Sequence, residues 1–419
     1  MAIPTSPTAD RGLDDTVRRP SLVVRWLSHP QASFYLVLVP ALLLLGLGVI
    51  MVQSASSVYA KQQFGDSYYF VKRQLVFLVI GIGVAWLLTK LKVQQMRALG
   101  WLLLALAFVF QILTFTPLGW GKNGNTNWVE LGTSLLRFQP SELAKLALVV
   151  WAADVFERKY KLMREPKHVV FPFIFVSALL IGLVVLQADL GTGVILGAIM
   201  FAILWFTGVR WKVLTSVIAV IAVGVLTLIA VSPNRMSRIF GFLSPDSDTL
   251  GANHQPIKAM FAMATGGWWG VGLGGSRQKW GGLVEAHNDY VLAVVGEELG
   301  LVSILVILGL FLTLGYAGFR IAMRSDNNFI RFLAAGITSW FMIQALANVL
   351  VVLRLFPVIG VPLPFVSYGG SALLSTICGV ALLLACARME PEAREYIPDS
   401  ADAPISKSFL AFANSPGGR

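Results

Sequence analysis

The stretch EAHNDYVLAVVGEELG, residues 285–300, combines a polar start with a long apolar run that two further acids interrupt. Asp289 stands where the apolar run begins. If the run is helical, Glu297 and Glu298 lie about 12 Å deeper, at a rise of about 1.5 Å per residue. Ionised side chains at such a depth in a membrane are costly, so they usually face a bundle interior or a water-filled cavity. The stretch therefore predicts a functional site at the mouth of a membrane helix.

The composition of the whole chain is that of a polytopic membrane protein. Of its 419 residues, 56% are hydrophobic and 13% are charged, whereas a soluble domain carries about 25% charged residues. Apolar runs of about 20 residues are long enough to cross a hydrocarbon layer of about 30 Å. They predict an all-α membrane protein with ten transmembrane helices, near residues 33–53, 71–89, 99–116, 141–157, 169–187, 190–207, 212–231, 290–318, 331–353 and 371–388.

Lysine and arginine residues are concentrated in alternate segments between these runs, which predicts that both termini are cytoplasmic. On this topology, residues 1–30 and 391–419 are cytoplasmic tails and residues 31–390 are the membrane domain. The segment 232–288, between the seventh and eighth spans, is the longest outer loop, and loops of that length usually have a function. The basic residues behind the net charge of +11 are dispersed among the loops, which argues against nucleic-acid binding.

The acids of residues 285–300 each have a structural interpretation as well as a functional one. Asp289 is a candidate catalytic carboxylate, but aspartate at a helix start is also a favoured N-cap. At 100° per residue, Glu297 lies closer than Glu298 to the side of the helix that carries Asp289. The alternative for both glutamates is an ion pair with a basic residue of a neighbouring span.

Two other polar groups stand at the ends of apolar runs. In QPSELAK (139–145), Glu142 and Lys145 are three residues apart, so they can pair on one helix face. The functional interpretation places Lys145 against an anionic group of a ligand. In the turn QADLGT (187–192), Asp189 is either the N-cap of the following helix or a residue of the site.

The long outer loop also carries basic residues that are candidates for phosphate binding, namely Arg235, Arg238, Arg277 and Lys279. The alternative is that they form a solvated face. The four histidines are scattered at positions 29, 168, 254 and 287, which argues against a His-rich metal site.

Taken together, these motifs resemble the SEDS family (shape, elongation, division, sporulation) of bacterial cell-wall proteins. The likeness covers residues 33–388 and is nearer to the division members than to the elongation paralogue. Three positions depart from the family pattern: Ala188 and Val284 stand where proline is common, and Arg354 stands where a small or apolar residue is usual. The matching stretches are NTNWVELG (125–132), FQPSELAKLAL (138–148), QADLGT (187–192), HQPIKAMFAMATGGWWGVGLGGS (254–276), EAHNDYVLAVVGEELG (285–300) and PVIGVPLPFVSYGGSALL (357–374).

The resemblance implies peptidoglycan glycosyl transfer from lipid II, with Asp289 as the essential carboxylate. A sugar hydroxyl must then attack an anomeric carbon while polyprenyl pyrophosphate leaves, and Asp289 is the candidate general base. Lys145, an arginine or a divalent cation (Mg²⁺ or Mn²⁺) is expected to offset the negative charge of the leaving group. The expected substrate-binding residues are Gln139, Glu142, Lys145, Asp189, Arg277, Lys279, His287, Glu297 and Glu298.

The resemblance also implies partners and a location. A class B penicillin-binding protein, the septal transpeptidase, is expected to crosslink the product, and other division proteins are expected to join it at the septal plasma membrane. A lipid II flippase is the main alternative, because charged residues inside spans also fit a translocation pathway. An ion-coupled transporter and a scaffold without activity are further alternatives.

Overall fold

The computed structural model describes residues 27–396, except 123–124, 131, 133–136, 163–164, 245–250, 252 and 284. Most of the predicted tails, 1–30 and 391–419, lies outside the described residues, as does Val284. The helices are α1 (Ala32–Phe64), α2 (Tyr69–Leu88), α3 (Val93–Leu113), α4 (Pro140–Arg158), α5 (Phe175–Leu186), α6 (Leu190–Phe206), α7 (Trp211–Val231), α8 (Pro233–Leu243), α9 (His254–Gly266), α10 (Val291–Arg324), α11 (Asn328–Val352), α12 (Gly370–Arg388) and α13 (Pro391–Tyr396).

Each of the ten predicted runs coincides with a helix. Among the described residues, seven helices are long and apolar enough to cross a membrane: α1, α2, α3, α7, α10, α11 and α12. Two shorter apolar helical segments, Val170–Leu186 and Leu190–Phe206, account for two more runs. The remaining helix, α4, has 19 residues and carries charges at both ends. The fold is therefore a multi-helix membrane bundle, while the number of crossings and the side of each terminus stay predictions.

The prediction of an all-α chain is wrong in the loop before α4. Strands β1 (Gly119–Lys122), β2 (Asn125–Glu130) and β3 (Arg137–Phe138) form an antiparallel sheet in the order β1-β2-β3. Arg137 lies opposite Glu130, and its Nε donates to Glu130 Oε2 at 2.6 Å. The guanidinium of Arg137 also lies 3.8 Å from the centre of the Trp120 ring. These cross-strand contacts stabilise a short sheet whose strands are too brief to give a clear alternating pattern.

The bundle core is built around α4, which is buried along nearly its whole length against α3, α11 and α12. Helix α7 is the opposite case, because its buried residues all lie near its first turns, at Val213, Leu214 and Val217. Its later turns therefore stand away from the bundle and leave grooves beside α6.

A break at Gly300 divides α10. Gly300 has φ 78° and ψ −179°, a conformation that only glycine adopts readily. The break leaves backbone carbonyls of α10 without helical partners, and Val271 and Gly272 donate to the carbonyls of Glu297 and Glu298 at 3.0 Å each. The segment after α9 is thus fastened to the first part of α10, the part that follows Asp289.

Candidate active site

A cavity of about 140 Å³ lies among the first turns of α4, α6 and α12 and the segment that precedes α10. Polar side chains from distant parts of the sequence converge there, in keeping with the small number of convergent polar groups expected of a ligand site. The lining residues are Asn127, Trp128, Gln139, Glu142, Lys145, Thr192, Ile195, Asn288, Asp289, Gly360, Val361, Pro362, Tyr368, Gly369, Ser371 and Ala372.

Asp289 contributes a carboxylate to this cavity and does not cap α10. The N-cap of α10 is Tyr290, which makes no capping bond through its side chain, so the N-cap interpretation of Asp289 is wrong. Among the described residues, the Asp289 carboxylate accepts no hydrogen bond and forms no ion pair. Its backbone carbonyl accepts from Asn348 Nδ2 at 2.8 Å, and the same amide donates to the Val361 carbonyl at 2.8 Å. Asn348 therefore fixes the backbone on both sides of the cavity while the carboxylate stays available.

The surroundings of Asp289 disfavour its ionised form. Burial raises the pKa of the Asp289 carboxyl to about 7. The carboxylates of Glu285 and Asp189 add to the rise in the Asp289 pKa, whereas the Arg238 guanidinium opposes it. A carboxylate with a pKa near neutral pH is a stronger proton acceptor than an ordinary aspartate, as a general base requires.

Lys145 and Glu142 form the predicted ion pair, and both also line the cavity. Lys145 Nζ lies 2.8 Å from Glu142 Oε1 and 2.8 Å from Gln344 Oε1, with side-chain exposures of 1% for the lysine and 3% for Glu142. Gln344 in turn donates from Nε2 to the Pro362 carbonyl at 2.9 Å. The pair is thus structural and also part of the cavity wall, and the positive charge of Lys145 is already compensated by Glu142.

Asp189 is the N-cap of α6, as one of its two interpretations predicted. Its Oδ1 accepts from the Thr192 N–H at 3.1 Å. Its Oδ2 also accepts from Asn127 Nδ2 at 3.0 Å and from Gln139 Nε2 at 3.3 Å. One carboxylate therefore joins β2, the start of α4 and the start of α6, and holds Asn127 and Gln139 at the cavity. The preceding residue, Ala188, has φ 64°, which the proline common in the family cannot adopt.

The two deeper glutamates lie away from the cavity, in a separate buried cluster. Glu298 accepts from Ser54 Oγ at 2.6 Å and pairs with Lys279 Nζ at 3.0 Å. Glu297 accepts from Ser276 Oγ at 2.6 Å and from the Arg277 N–H at 2.9 Å. The expected pairing exists for Glu298, but the prediction that its partner comes from a neighbouring span is wrong, because Lys279 belongs to the long outer loop.

His287 lies in an aromatic cluster beside the cavity. Its ring centroid is 4.6 Å from that of Phe70, 5.7 Å from that of Tyr59 and 5.6 Å from that of Tyr368. The His287 carbonyl accepts from the Tyr368 N–H at 2.9 Å, and Tyr368 lines the cavity. His287, Glu297, Glu298, Arg277 and Lys279 are therefore not cavity residues, and a role for them in substrate binding stays a prediction.

Several cavity residues were missed by the sequence reasoning. Asn127 and Trp128 belong to the NTNWVELG stretch, and Gly360 and Pro362 to the apolar loop before α12. The motifs that contain them were recognisable, but no charge or periodicity distinguished the individual residues. An added Cβ at Gly360 would lie 3.5 Å from Asp289 Oδ2, which shows how closely that loop approaches the carboxylate.

Within the described ranges, no group of three or more His, Cys, Asp or Glu side chains is arranged to hold a metal ion. Two carboxylates line the cavity: Glu142 is paired with Lys145, whereas Asp289 forms no ion pair with a described residue. Mg²⁺ is commonly bound by one or two carboxylates together with substrate phosphates. The residues present therefore fit a divalent cation only in company with a phosphorylated ligand, and use of a cation stays a prediction.

The chain matches known proteins over nearly all of the membrane domain. The family of cell cycle proteins named for FtsW, RodA and SpoVE matches residues 34–392. A probable peptidoglycan glycosyltransferase FtsW of Mycobacterium tuberculosis is 36% identical over 371 residues, which is 88% of this chain and 70% of that protein. Stage V sporulation protein E of Bacillus subtilis is 36% identical over 356 residues, 84% of this chain and 96% of that protein.

Solved structures agree with this fold. A chain of a peptidoglycan synthase complex that coordinates polymerization and crosslinking is 26% identical, with a TM-score of 0.68 over 84% of this chain and 96% of that chain. The rod shape determining protein RodA of Thermus thermophilus is 25% identical, with a TM-score of 0.60 over 88% of this chain and 99% of that chain. Since both the motifs and the bundle match, the chain belongs to the FtsW/RodA/SpoVE family of cell cycle proteins, which is the SEDS family that its motifs resemble, and it is an FtsW-like member.

Proposed function

We propose that this protein is a peptidoglycan glycosyltransferase that polymerises lipid II into glycan strands during cell division. The observation that carries the proposal is the Asp289 carboxylate, which faces the cavity without a hydrogen bond or ion pair to any described residue. A carboxylate retained only for structure would be expected to accept hydrogen bonds, because burying an unpaired carboxylate is costly. Relatives named as peptidoglycan glycosyltransferases support the same activity.

The reaction is a single inverting displacement. The 4-hydroxyl oxygen of the acceptor sugar attacks the anomeric carbon of the donor, and the bond from that carbon to the phosphate oxygen breaks. Asp289 accepts the hydroxyl proton, and polyprenyl pyrophosphate departs with the bonding electron pair. Because the leaving group is an anion, it needs positive charge rather than a proton donor.

The chain works in the cytoplasmic membrane at the division septum, with a class B penicillin-binding protein as its partner. This part of the proposal is supported by the similarity of this chain to a chain of a peptidoglycan synthase complex. The lipid II flippase is the alternative that the same cavity and substrate would fit, so the decisive test must score glycosidic bonds rather than movement of substrate.

The test uses the full-length protein purified with its penicillin-binding partner and supplied with fluorescent lipid II. Wild type should make glycan polymers, and Asp289→Asn should lower the rate by at least about 100-fold, a typical contribution of a general base. Asp66→Asn is the matched control, because Asp66 is a half-exposed carboxylate that pairs with Lys72 between α1 and α2. Full polymerisation by Asp289→Asn would overturn the assignment, and unimpaired polymerisation combined with slowed translocation would favour the flippase.

A further inference from the structure

A second groove, of about 570 Å³, is lined by residues 356–359, which directly precede the residues 360–362 that line the cavity. We call it the arginine groove. Its walls are mostly apolar and come from α6, α7, α8 and residues 356–359, and two arginines of α8 stand at its edge. The residues that define it are Ala188, Asp189, Leu190, Gly191, Val194, Gly197, Ala198, Phe201, Ile218, Ile221, Ala222, Val225, Ile229, Arg235, Arg238, Ile239, Phe356, Pro357, Val358, Ile359 and Asn125.

Arg235 and Arg238 are three residues apart on α8 and therefore share a face of that helix. Arg235 donates to the Ala188 carbonyl at 3.1 Å and to the Leu228 carbonyl at 3.2 Å, and Arg238 reaches the Val358 carbonyl at 3.5 Å. These are neutral acceptors, and among the described residues neither guanidinium forms an ion pair. Neither arginine is therefore paired with a carboxylate of a described residue.

The other basic candidates near this face are engaged differently. Lys145 pairs with Glu142, and Lys279 pairs with Glu298. Arg277 is exposed and lines neither the cavity nor the arginine groove. Of the basic residues predicted to hold phosphate, Arg235 and Arg238 are thus the pair that borders an apolar groove.

The arginine groove is next to the catalytic carboxylate. The Val358 carbonyl that Arg238 contacts is two residues from Gly360, which packs against the Asp289 carboxylate. The first turns of α6 border both spaces, with Thr192 at the cavity and Leu190 at the arginine groove. Along this path the protein presents a carboxylate, then two guanidinium groups, then an apolar wall.

A polyprenyl-diphosphate-linked sugar has the complementary order of groups: a neutral sugar, then a diphosphate anion, then a hydrocarbon chain. We propose that Arg235 and Arg238 bind the diphosphate of such a substrate, and that the arginine groove receives the adjoining part of its polyprenyl chain. The proposal rests on the function proposed above and names the groups that hold the leaving group for that reaction. Paired guanidinium groups suit this role because they form charge-assisted hydrogen bonds with phosphate oxygens.

The test measures binding in the Asp289→Asn background, where turnover is blocked. Full-length protein in phosphatidylcholine nanodiscs is titrated with fluorescent lipid II. The double variant Arg235→Gln/Arg238→Gln should weaken binding by about 10-fold or more, the loss expected from one or two charge-assisted hydrogen bonds. Arg238→Lys should recover part of the affinity of Arg238→Gln, because it restores charge without the guanidinium geometry.

Lys258→Gln is the control for loss of one positive charge in the same outer loop, and it should leave binding unchanged. Unchanged lipid II affinity in the double variant, with Tm also unchanged, would overturn the proposal. So would a difference between wild type and the double variant that disappears when phosphatidylglycerol is included, because the arginines would then hold bulk phospholipid headgroups in place of lipid II. If lipid II binding depends on the arginines but wild type forms no polymer, the proposed function fails while the binding site stands.

Discussion

The buried pair of Glu298 and Lys279 gives a sharp prediction about how the outer loop is held. Their side chains are 0% and 4% exposed and 3.0 Å apart, and Ser54 Oγ also donates to Glu298. Removing one partner of such a pair leaves the other charge buried and uncompensated, which costs about 3–5 kcal/mol. Lys279→Met should therefore lower Tm by about 6–10 °C, at about 2 °C per kcal/mol for a large domain.

The double variant Lys279→Met/Glu298→Gln removes both charges and should recover most of that loss, because replacing a whole buried pair is often nearly neutral. The assay is thermal unfolding of the purified protein, followed by tryptophan fluorescence, for the two single variants and the double variant. Polymerisation should fall in each single variant, because the pair joins the outer loop to the part of α10 that follows Asp289. A Tm for Lys279→Met within 1 °C of wild type, or strictly additive effects in the double variant, would refute the reasoning.

Two further predictions follow from the geometry of α10 and its first residues. Asp289 must be ionised to accept a proton, and burial raises its pKa to about 7. The initial rate of polymerisation should therefore rise about tenfold per pH unit below pH 7 and level off above it. A rate that is flat between pH 5.5 and 8 would contradict this role. Gly300→Ala should lower Tm, because a Cβ there would overlap the Trp268 carbonyl. The control is Gly309→Ala in the same helix, where an added Cβ meets no atom within 4 Å, and it should leave Tm unchanged or raise it slightly. Equal effects of the two substitutions on Tm would show that the break at Gly300 is not required.

The helices of the ten predicted runs could be predicted from the sequence because each run is apolar and lies between polar or charged segments, whereas α8 and α9 lie in the long outer loop, where no helix was predicted. The sheet of β1–β3 could not, since its strands are short and lie in a stretch that reads as a polar loop. The cavity was predicted in part. Asp289, Glu142 and Lys145 could be predicted because charged residues are rare in apolar runs. Asn127 and Asn348 could not, because they are neutral amides whose roles depend on contacts between residues distant in the sequence.

The roles within residues 285–300 show the same limit of local reasoning. The position of all three acids at or within an apolar run indicated that they are functional candidates. The helical angle indicated only that Glu297 lies nearer than Glu298 to the helix side that carries Asp289. Their different surroundings depend on the loop after α9, which supplies Ser276, Arg277 and Lys279 as partners, and on the break at Gly300, which frees carbonyls that the same loop binds. Neither feature follows from helical periodicity, because both depend on tertiary contacts.

The three acids differ in the hydrogen-bond donors that surround their carboxylates. Glu297 and Glu298 accept hydrogen bonds from the outer loop, which offset the cost of burying their carboxylates. Asp289 accepts none from the described residues, and burial, together with the nearby carboxylates of Glu285 and Asp189, raises the pKa of its carboxyl. The fold thus supplies hydrogen-bond donors to Glu297 and Glu298 but leaves the Asp289 carboxylate open to the cavity. A general base requires this arrangement, because its backbone must be held in place while its carboxylate is free to accept a proton.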